Sequence, residues 1–237
     1  LDLYELQDPP IGEAEKTVAQ YAAEMVHDGD CIQLGFGGIP NAIGFELMDR
    51  HDLGIHTEQI GASMAHMIQK GVVTNRYKNL DKGWSVGTFI IADNFTYEYL
   101  NNHPRVLMRR GRYTNDPMII AQQDNMVSIN TLVEMDLTGQ VCAESIGPKQ
   151  ISGSGGAFCF AYGTYRRKGG RSIPAFPARS GKGHSKIKAT LTPGAVVPTP
   201  RNYVDYIVTE FGIAQLKGRT IRERADALIS IAHPDDR

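Results

Sequence analysis

Two short segments near the start of the chain carry the residue types and spacing for chemistry. Gly35-Phe36-Gly37-Gly38-Ile39-Pro40 places bare backbone amides in a loop that a polyanionic or carbonyl group can approach. His56-Thr57-Glu58-Gln59-Ile60-Gly61 follows about twenty residues later and sets one carboxylate at the end of a strand turning at glycine. Together they point to covalent chemistry on a glutamate beside a glycine loop. The loop matches neither GxGxxG nor the phosphate-binding P-loop with its Lys-Ser/Thr, which excludes a dinucleotide-binding dehydrogenase reading.

The elements around these segments follow from pattern. Residues Glu13 to Val26 read as an amphipathic helix with Val18, Tyr21, Ala22 and Met25 on one face. His27 to Asp30 turns the chain into a strand from Cys31 to Gly35. Pro40 suits the first turn of the next helix, where its missing N–H costs nothing, and Ile43, Leu47 and Met48 supply that helix with an apolar face. Strand, glycine turn and helix start make an anion-binding arrangement. Further strands are expected over Trp84–Ile91, Arg105–Met108, Met126–Ile129, Leu132–Leu137, Ala195–Pro198 and Tyr203–Thr209, and helices over Thr96–Leu100 and Pro117–Gln123. Gly139 marks a turn, and Ile151 to Gly156 is a second glycine-rich turn. Thr220 and Glu223 form a capping box for a helix to Ala232 that turns Ile221, Ala225, Leu228 and Ile229 inward. Arg179 to Lys186 reads as a mobile loop. Alternating strands and helices predict an α/β fold with a layered, mostly parallel sheet and flanking helices.

Composition narrows the partners. The chain has 237 residues, 41% hydrophobic and 22% charged, with a formal net charge of -1. That leaves no electrostatic footprint for nucleic acid or an anionic membrane, and no apolar run reaches the ~18 residues of a membrane span. Arg109-Arg110-Gly111-Arg112 and Arg166-Arg167-Lys168 read as solvated faces rather than phosphate contacts. Cys31, Cys142 and Cys159 are far apart and form no CxxC pair, and the 7 histidines lack metal-ligand spacing, so no metal site is expected. Free cysteines fit a reducing, cytoplasmic setting. Leu1 to Gly12, with Pro9-Pro10, reads as a linker ahead of a domain over residues 13–237.

Taken in order, GFGGIPNAIG (Gly35 to Gly44), LGIHTE (Leu53 to Glu58), KGVVTN (Lys70 to Asn75), YTNDP (Tyr113 to Pro117), IAQQDNMVSIN (Ile120 to Asn130), DLTGQVCAESIG (Asp136 to Gly147), QISGSGG (Gln150 to Gly156), VTEFGIAQLKG (Val208 to Gly218) and the terminal RERADALISIAHPDDR resemble the family I coenzyme A transferases. The resemblance is to the 4-hydroxybutyrate and butyrate/acetate CoA-transferase branch, which includes acetyl-CoA hydrolase-like proteins. It implies the CoA-transferase (NagB/RpiA-like) type of α/β fold and one half of a two-half enzyme, the C-terminal one. The active site would then lie in the cleft between the halves, with a first half missing, cleaved or on another polypeptide, and the whole would be a homo-oligomer.

The chemistry so implied is covalent. A glutamate carboxylate attacks an acyl-CoA thioester, and a glutamyl-CoA thioester then exchanges with a small carboxylic acid. CoA is a substrate, and no fixed cofactor is implied. The resemblance assigns Glu58 as nucleophile, with Glu144 in CAESIG as the alternate. It assigns Gly155 and Gly156 to the oxyanion site, and Gly37 and Gly38 to the loop approaching CoA or the acyl group. Asn41 and Gln59 are positional candidates for substrate contact, and Glu210 and Gly212 match the family without a role. The chain departs from the family at Ala157-Phe158-Cys159, where relatives carry a Gln and an Asp, at Ile91–Asn94, at Pro198-Thr199-Pro200 and at Asp205. These departures bear on acyl specificity. An acyl-CoA hydrolase on the same scaffold, and a non-catalytic CoA-binding or interaction fragment, are the competing readings.

Overall fold

A computed structural model describes residues 3–6 and 10–237. Of the expected linker, Leu1, Asp2 and Gln7 to Pro9 lie outside the described residues, and Leu6 N donates to Ala92 O at 2.9 Å. Helix α1 (Glu13–Glu24) starts at Gly12, whose N–H is capped by the Glu15 carboxylate at 3.1 Å. Val18, Ala19, Ala22 and Ala23 are buried, and these small residues let α1 lie close to its neighbour. Strand β1 (Cys31–Leu34) leads through the glycine loop into α2 (Gly38–Glu46), where Pro40 occupies the first turn as expected. Next come β2 (Gly54–Ile55), β3 (Gln59–Ile60) and α3 (Ala62–Lys70), a helix the sequence pattern did not single out.

The expected strand over Trp84–Ile91 divides into β4 (Ser85–Gly87) and β5 (Phe89–Ile90). The break falls at Thr88, because Thr88 N and Phe89 N both turn to the Glu58 carbonyl, at 2.8 and 3.1 Å. Then follow α4 (Asn94–Leu100), β6 (Val106–Met108), α5 (Gly111–Thr114), α6 (Pro117–Ile120) and β7 (Met126–Asn130). Helix α6 stops before Gln123, whose buried side chain instead accepts from Asn79 N and donates to Leu80 O. The main sheet has the order β1 between β2 and β7, all parallel. It extends past β2 because His56 bridges to Val86 of β4, itself parallel to β6.

The remaining chain adds one strand to this sheet and builds smaller sheets beside it. Strands β8 (Glu134–Asp136) and β9 (Val141–Cys142) are antiparallel around the turn at Gly139. The hairpin β10 (Ser145–Ile146) and β11 (Lys149–Gln150) delivers the glycine-rich turn, which runs into α7 (Ala157–Tyr165). Strand β12 (Arg171–Pro174) adds to β7 in parallel, and β13 (Ile187–Lys188) to β8. The segment from Arg179 to Lys186, expected as a mobile loop, is a tight turn: Arg179 bridges to Ser185, and the Arg179 guanidinium holds Asp236 at 2.7 Å. Residues Ala195–Pro198 form no strand, and only Thr199 bridges, to Val141. Strands β14 (Tyr206–Thr209) and β15 (Gly212–Gln215) pair antiparallel, and α8 (Ile221–Ser230) closes the chain with the expected capping box. Its buried face differs from expectation. Ile221 is exposed while Arg224 is buried, because its guanidinium donates to the carbonyls of Thr138 and Arg201.

The architecture is therefore an α/β fold with a mostly parallel sheet. One apolar core joins α1, α2 and α3 to the sheet through Ile32, Ile43, Ile55, Val127 and Ile173. A second gathers Leu132, Phe176, Val204, Ile207 and Leu228. The basic runs are surface pairs as expected: Arg109 meets Asp81 at 3.3 Å, and Arg167 meets Asp124 at 2.6 Å. Among the described residues no helix is long and apolar enough to cross a membrane.

Candidate active site

Glu58 sits where the sheet ends. Past the end of β2, His56 N donates to Ile32 O at 3.2 Å and Thr57 N to Val86 O at 3.0 Å, so the backbone stays hydrogen-bonded to its neighbours up to Thr57. It then leaves the ladder, with the Glu58 carbonyl spent on Thr88 and Phe89. The side chain is half-buried and held at both oxygens. Asn115 Nδ2 donates to Oε1 at 2.9 Å, and Gly156 N donates to Oε2 at 3.0 Å. Two neutral donors hold the carboxylate in one orientation through charge-assisted hydrogen bonds. Gly156 is glycine for a steric reason: a Cβ there would stand 2.8 Å from both Glu58 Oε2 and Asn115 Nδ2. Gly155 before it takes φ +57, a left-handed conformation that tips the next amide toward the carboxylate.

A cavity of about 140 Å³ opens on Glu58, with Gly155, Gly156, Gln59, Phe36 and Asn130 in its wall. A larger one, about 300 Å³, adjoins it through the shared residues Leu34, Gly35 and Gln59, and it takes in Gly37, Asn41, Phe45 and Asp93. Of the residues expected in the site, the structure thus brings Gly155, Gly156 and Gln59 to Glu58, and Gly37 and Asn41 to the neighbouring chamber. Gly38 lines a third hollow with Ile11 and Thr131. Gln59 donates to Ile91 O at 2.8 Å, and the Asn41 amide oxygen accepts from Ser63 N at 2.8 Å, so each also ties the wall together.

Glu144 lies elsewhere, at the bend between β9 and β10. It is buried, its Oε2 has no hydrogen-bond partner among the described residues, and it does not line the Glu58 cavity. Its backbone carbonyl accepts from Ile151 N at 2.8 Å, which anchors the entry to the glycine turn. Glu210 is structural too, accepting from Ala178 N at 2.8 Å, while Gly212 takes φ +133 in the β14–β15 turn. His56, two residues before Glu58, is fully buried, and burial pushes its pKa down to about 4. Its Nε2 lies 3.0 Å from Thr114 O, and a carbonyl can only accept, so Nε2 carries the proton of a neutral ring. Cys159, at one of the departures, falls in the first turn of α7. Its thiol pKa is raised by burial and then by the nearby Glu58 charge.

Three residues of this site were not singled out from sequence. Asn115 stands inside the YTNDP segment, and it reaches Glu58 across 57 positions. Gln33 and Asn130, from β1 and β7, form a reciprocal amide pair at 3.0 Å beneath the cavity. A glutamine inside the otherwise apolar Cys31–Leu34 strand is the signal that could have marked it, since a buried amide needs a partner.

The fold and site together define a class of domain: an α/β, mostly parallel-sheet unit that presents one clasped carboxylate beside glycine-rich loops. Comparison with known proteins gives the family. Residues 93–237 match the acetyl-CoA hydrolase/transferase C-terminal domain, and the chain belongs to that family. It is 47% identical over 233 residues to a 4-hydroxybutyrate coenzyme A transferase of Clostridium kluyveri, covering 98% of this chain and 54% of that protein. It is 45% identical over 235 residues to a probable butyrate:acetyl-CoA coenzyme A-transferase of Syntrophomonas wolfei, covering 95% and 53%. The crystal structure of RipA from Yersinia pestis superposes with a TM-score of 0.94 at 44% identity, over 99% of this chain and 53% of that one. The chain spans about half the length of the relatives it matches.

Proposed function

We propose that this chain is the glutamate-bearing half of a CoA-transferase that moves CoA between a short-chain acyl-CoA and a carboxylate such as 4-hydroxybutyrate, butyrate or acetate. The observation that carries the reading is the clasp on Glu58 by Asn115 and Gly156 at the mouth of a cavity. One Glu58 oxygen attacks the thioester carbonyl carbon, the C–S bond breaks, and CoA leaves as thiolate from a mixed anhydride. The thiolate then attacks the Glu58 carbonyl carbon and releases the first carboxylate, leaving a glutamyl-CoA thioester. An incoming carboxylate reverses the two steps and regenerates Glu58. Each attacking and each leaving group is a carboxylate or a thiolate, so no proton has to move. The catalyst needs fixed orientation and oxyanion donors rather than a general base.

Hydrolysis on the same scaffold would differ only in the last step, where water in place of a carboxylate attacks the glutamyl thioester and must give up a proton. The non-catalytic reading has less support, since nothing explains a doubly held carboxylate there if it has no reactant to meet. The second half of the site is proposed to come from a further domain or a partner chain. Phe36 in the small cavity and Phe45 in the large one are 52% and 45% exposed, and large apolar groups at a cavity rim suit a covering surface.

The test is intact-mass analysis of the full-length protein after incubation with butyryl-CoA or acetyl-CoA. A covalent CoA adduct on the wild type that is absent from Glu58→Gln supports the reading. An adduct that survives the substitution moves the nucleophile elsewhere, with Glu144 next. A wild type that takes up no CoA yet binds it reversibly would favour the interaction fragment.

A further inference from the structure

Asn115 can hold Glu58 only with its amide turned one way, because a flipped amide would set oxygen against the carboxylate. A pair of threonines lies on the oxygen side of that amide. Thr114 Oγ1 donates to Asn115 Oδ1 at 3.2 Å, which leaves Nδ2 facing Glu58 Oε1. Its other acceptor, Gly111 O, is further away at 3.5 Å. The Thr114 hydroxyl also shares a hydrogen bond with Thr88 Oγ1. Either hydroxyl can be the donor in that pair, and when Thr114 gives its one proton to Asn115 Oδ1 it is Thr88 that donates. Thr88 N in turn donates to the Glu58 carbonyl at 2.8 Å. The hydrogen bonds therefore run in a closed circuit, from the Glu58 backbone through Thr88, Thr114 and Asn115 and back to the Glu58 side chain. Neither threonine lines the small cavity, and Thr114 is fully buried, so neither meets substrate there. Thr114 is itself fixed, since its carbonyl accepts from the buried His56 ring.

We propose that Thr88 and Thr114 are positioning residues whose hydroxyls aim the Asn115 amide, and through it the Glu58 carboxylate, for attack. The proposal rests on the reading of Glu58 as nucleophile. Thr114→Val keeps the side chain's shape but removes the proton that selects the amide orientation. Thr114→Ser keeps the hydroxyl while removing a methyl group. A misplaced catalytic group costs about 100-fold in rate. In the full-length protein, kcat of Thr114→Val is therefore expected to fall by that order, with the acyl-CoA KM within about 3-fold, because only the attack geometry changes. Thr114→Ser is expected to recover most of the loss. Thr88→Val falls less, and the double variant Thr88→Val/Thr114→Val is no worse than Thr114→Val alone, because both hydroxyls act through one amide.

A second readout does not depend on turnover. In protein labelled with 15N-asparagine, the Asn115 amide proton bonded to Glu58 is identified by its loss in Asn115→Asp. Its downfield shift should collapse in Thr114→Val and persist in Thr114→Ser. Equal impairment of the valine and serine variants, or an unchanged Asn115 resonance in Thr114→Val, overturns the proposal. The amide resonance reports the circuit whichever residue carries the chemistry, and the Glu58→Gln adduct test reports the nucleophile, so the two ideas fail separately.

Discussion

Gly156→Ala is the smallest change that strikes the site. The added methyl carbon would stand 2.8 Å from Glu58 Oε2 and 2.8 Å from Asn115 Nδ2. Non-bonded contacts of this kind settle at about 3.5 Å or more, so the gap must open by about 0.7 Å. Neither neighbour is the loose end of a solvated chain, because each is tied to the other. Movement therefore falls on the bond from Gly156 N to Glu58 Oε2, now 3.0 Å. Stretched to about 3.7 Å it is no longer a hydrogen bond. When the thiolate attacks the Glu58 carboxyl carbon, charge develops on Oε2, and loss of one preorganised donor there typically costs about 10²–10³ in rate, or roughly 3–4 kcal/mol of transition-state stabilisation. The assay is single-turnover formation of the glutamyl-CoA adduct, followed by intact mass, with thermal unfolding measured in parallel. Gly155→Ala is the control. Its φ of +57 makes alanine strained, but nothing lies within 4 Å of the added carbon, so its rate should fall far less. A Gly156→Ala protein that forms the adduct within about 3-fold of the wild-type rate would refute the steric argument for the clasp.

Two other outcomes follow from buried groups. His56 is held neutral, its pKa pushed down to about 4 by burial against an ordinary 6.5. Its contribution, on the order of 3 kcal/mol, is fully present above pH 6.5 and is lost as the pH falls through 4. Urea midpoints should therefore drop more steeply between those pH values in the wild type than in His56→Gln, and parallel curves would sink this assignment. The cysteines should separate by labelling. Cys31 is 2% exposed with its pKa pushed up to about 11, chiefly by burial, and Cys142 is fully buried. Maleimide should reach only Cys159 in the native protein, slowly because its thiolate is disfavoured, and reach all 3 in urea. Native labelling of Cys31 would contradict the packing.

Much of the framework was legible from local pattern. The α1 helix, the strand–glycine–helix unit around Pro40, and the Thr220–Glu223 capping box all depend on interactions within one or two turns, which residue types encode directly. The errors came where a distant partner outbid a local preference. Thr88 and Phe89 break a strand to reach the Glu58 carbonyl, and Arg224 displaces Ile221 from the buried side of α8 because carbonyls wait for it there.

The same division runs through the site. The order of motifs along the chain distinguished Glu58 from an arbitrary glutamate and left Glu144 as its rival. By itself the sequence determined that a carboxylate at a strand end would stand near glycine loops. Which carboxylate is held, and by what, was decided only in three dimensions. Asn115 and Gly156 come from 57 and 98 residues away, brought in by α5 and by the turn into α7. The circuit through Thr88 and Thr114 needs the end of β2 beside that of β4, and α5 laid across both. Periodicity records which face of an element is buried. It holds no record of which donors meet across the end of a sheet, since a hydrogen bond is set by tenths of an ångström between groups that share no local sequence.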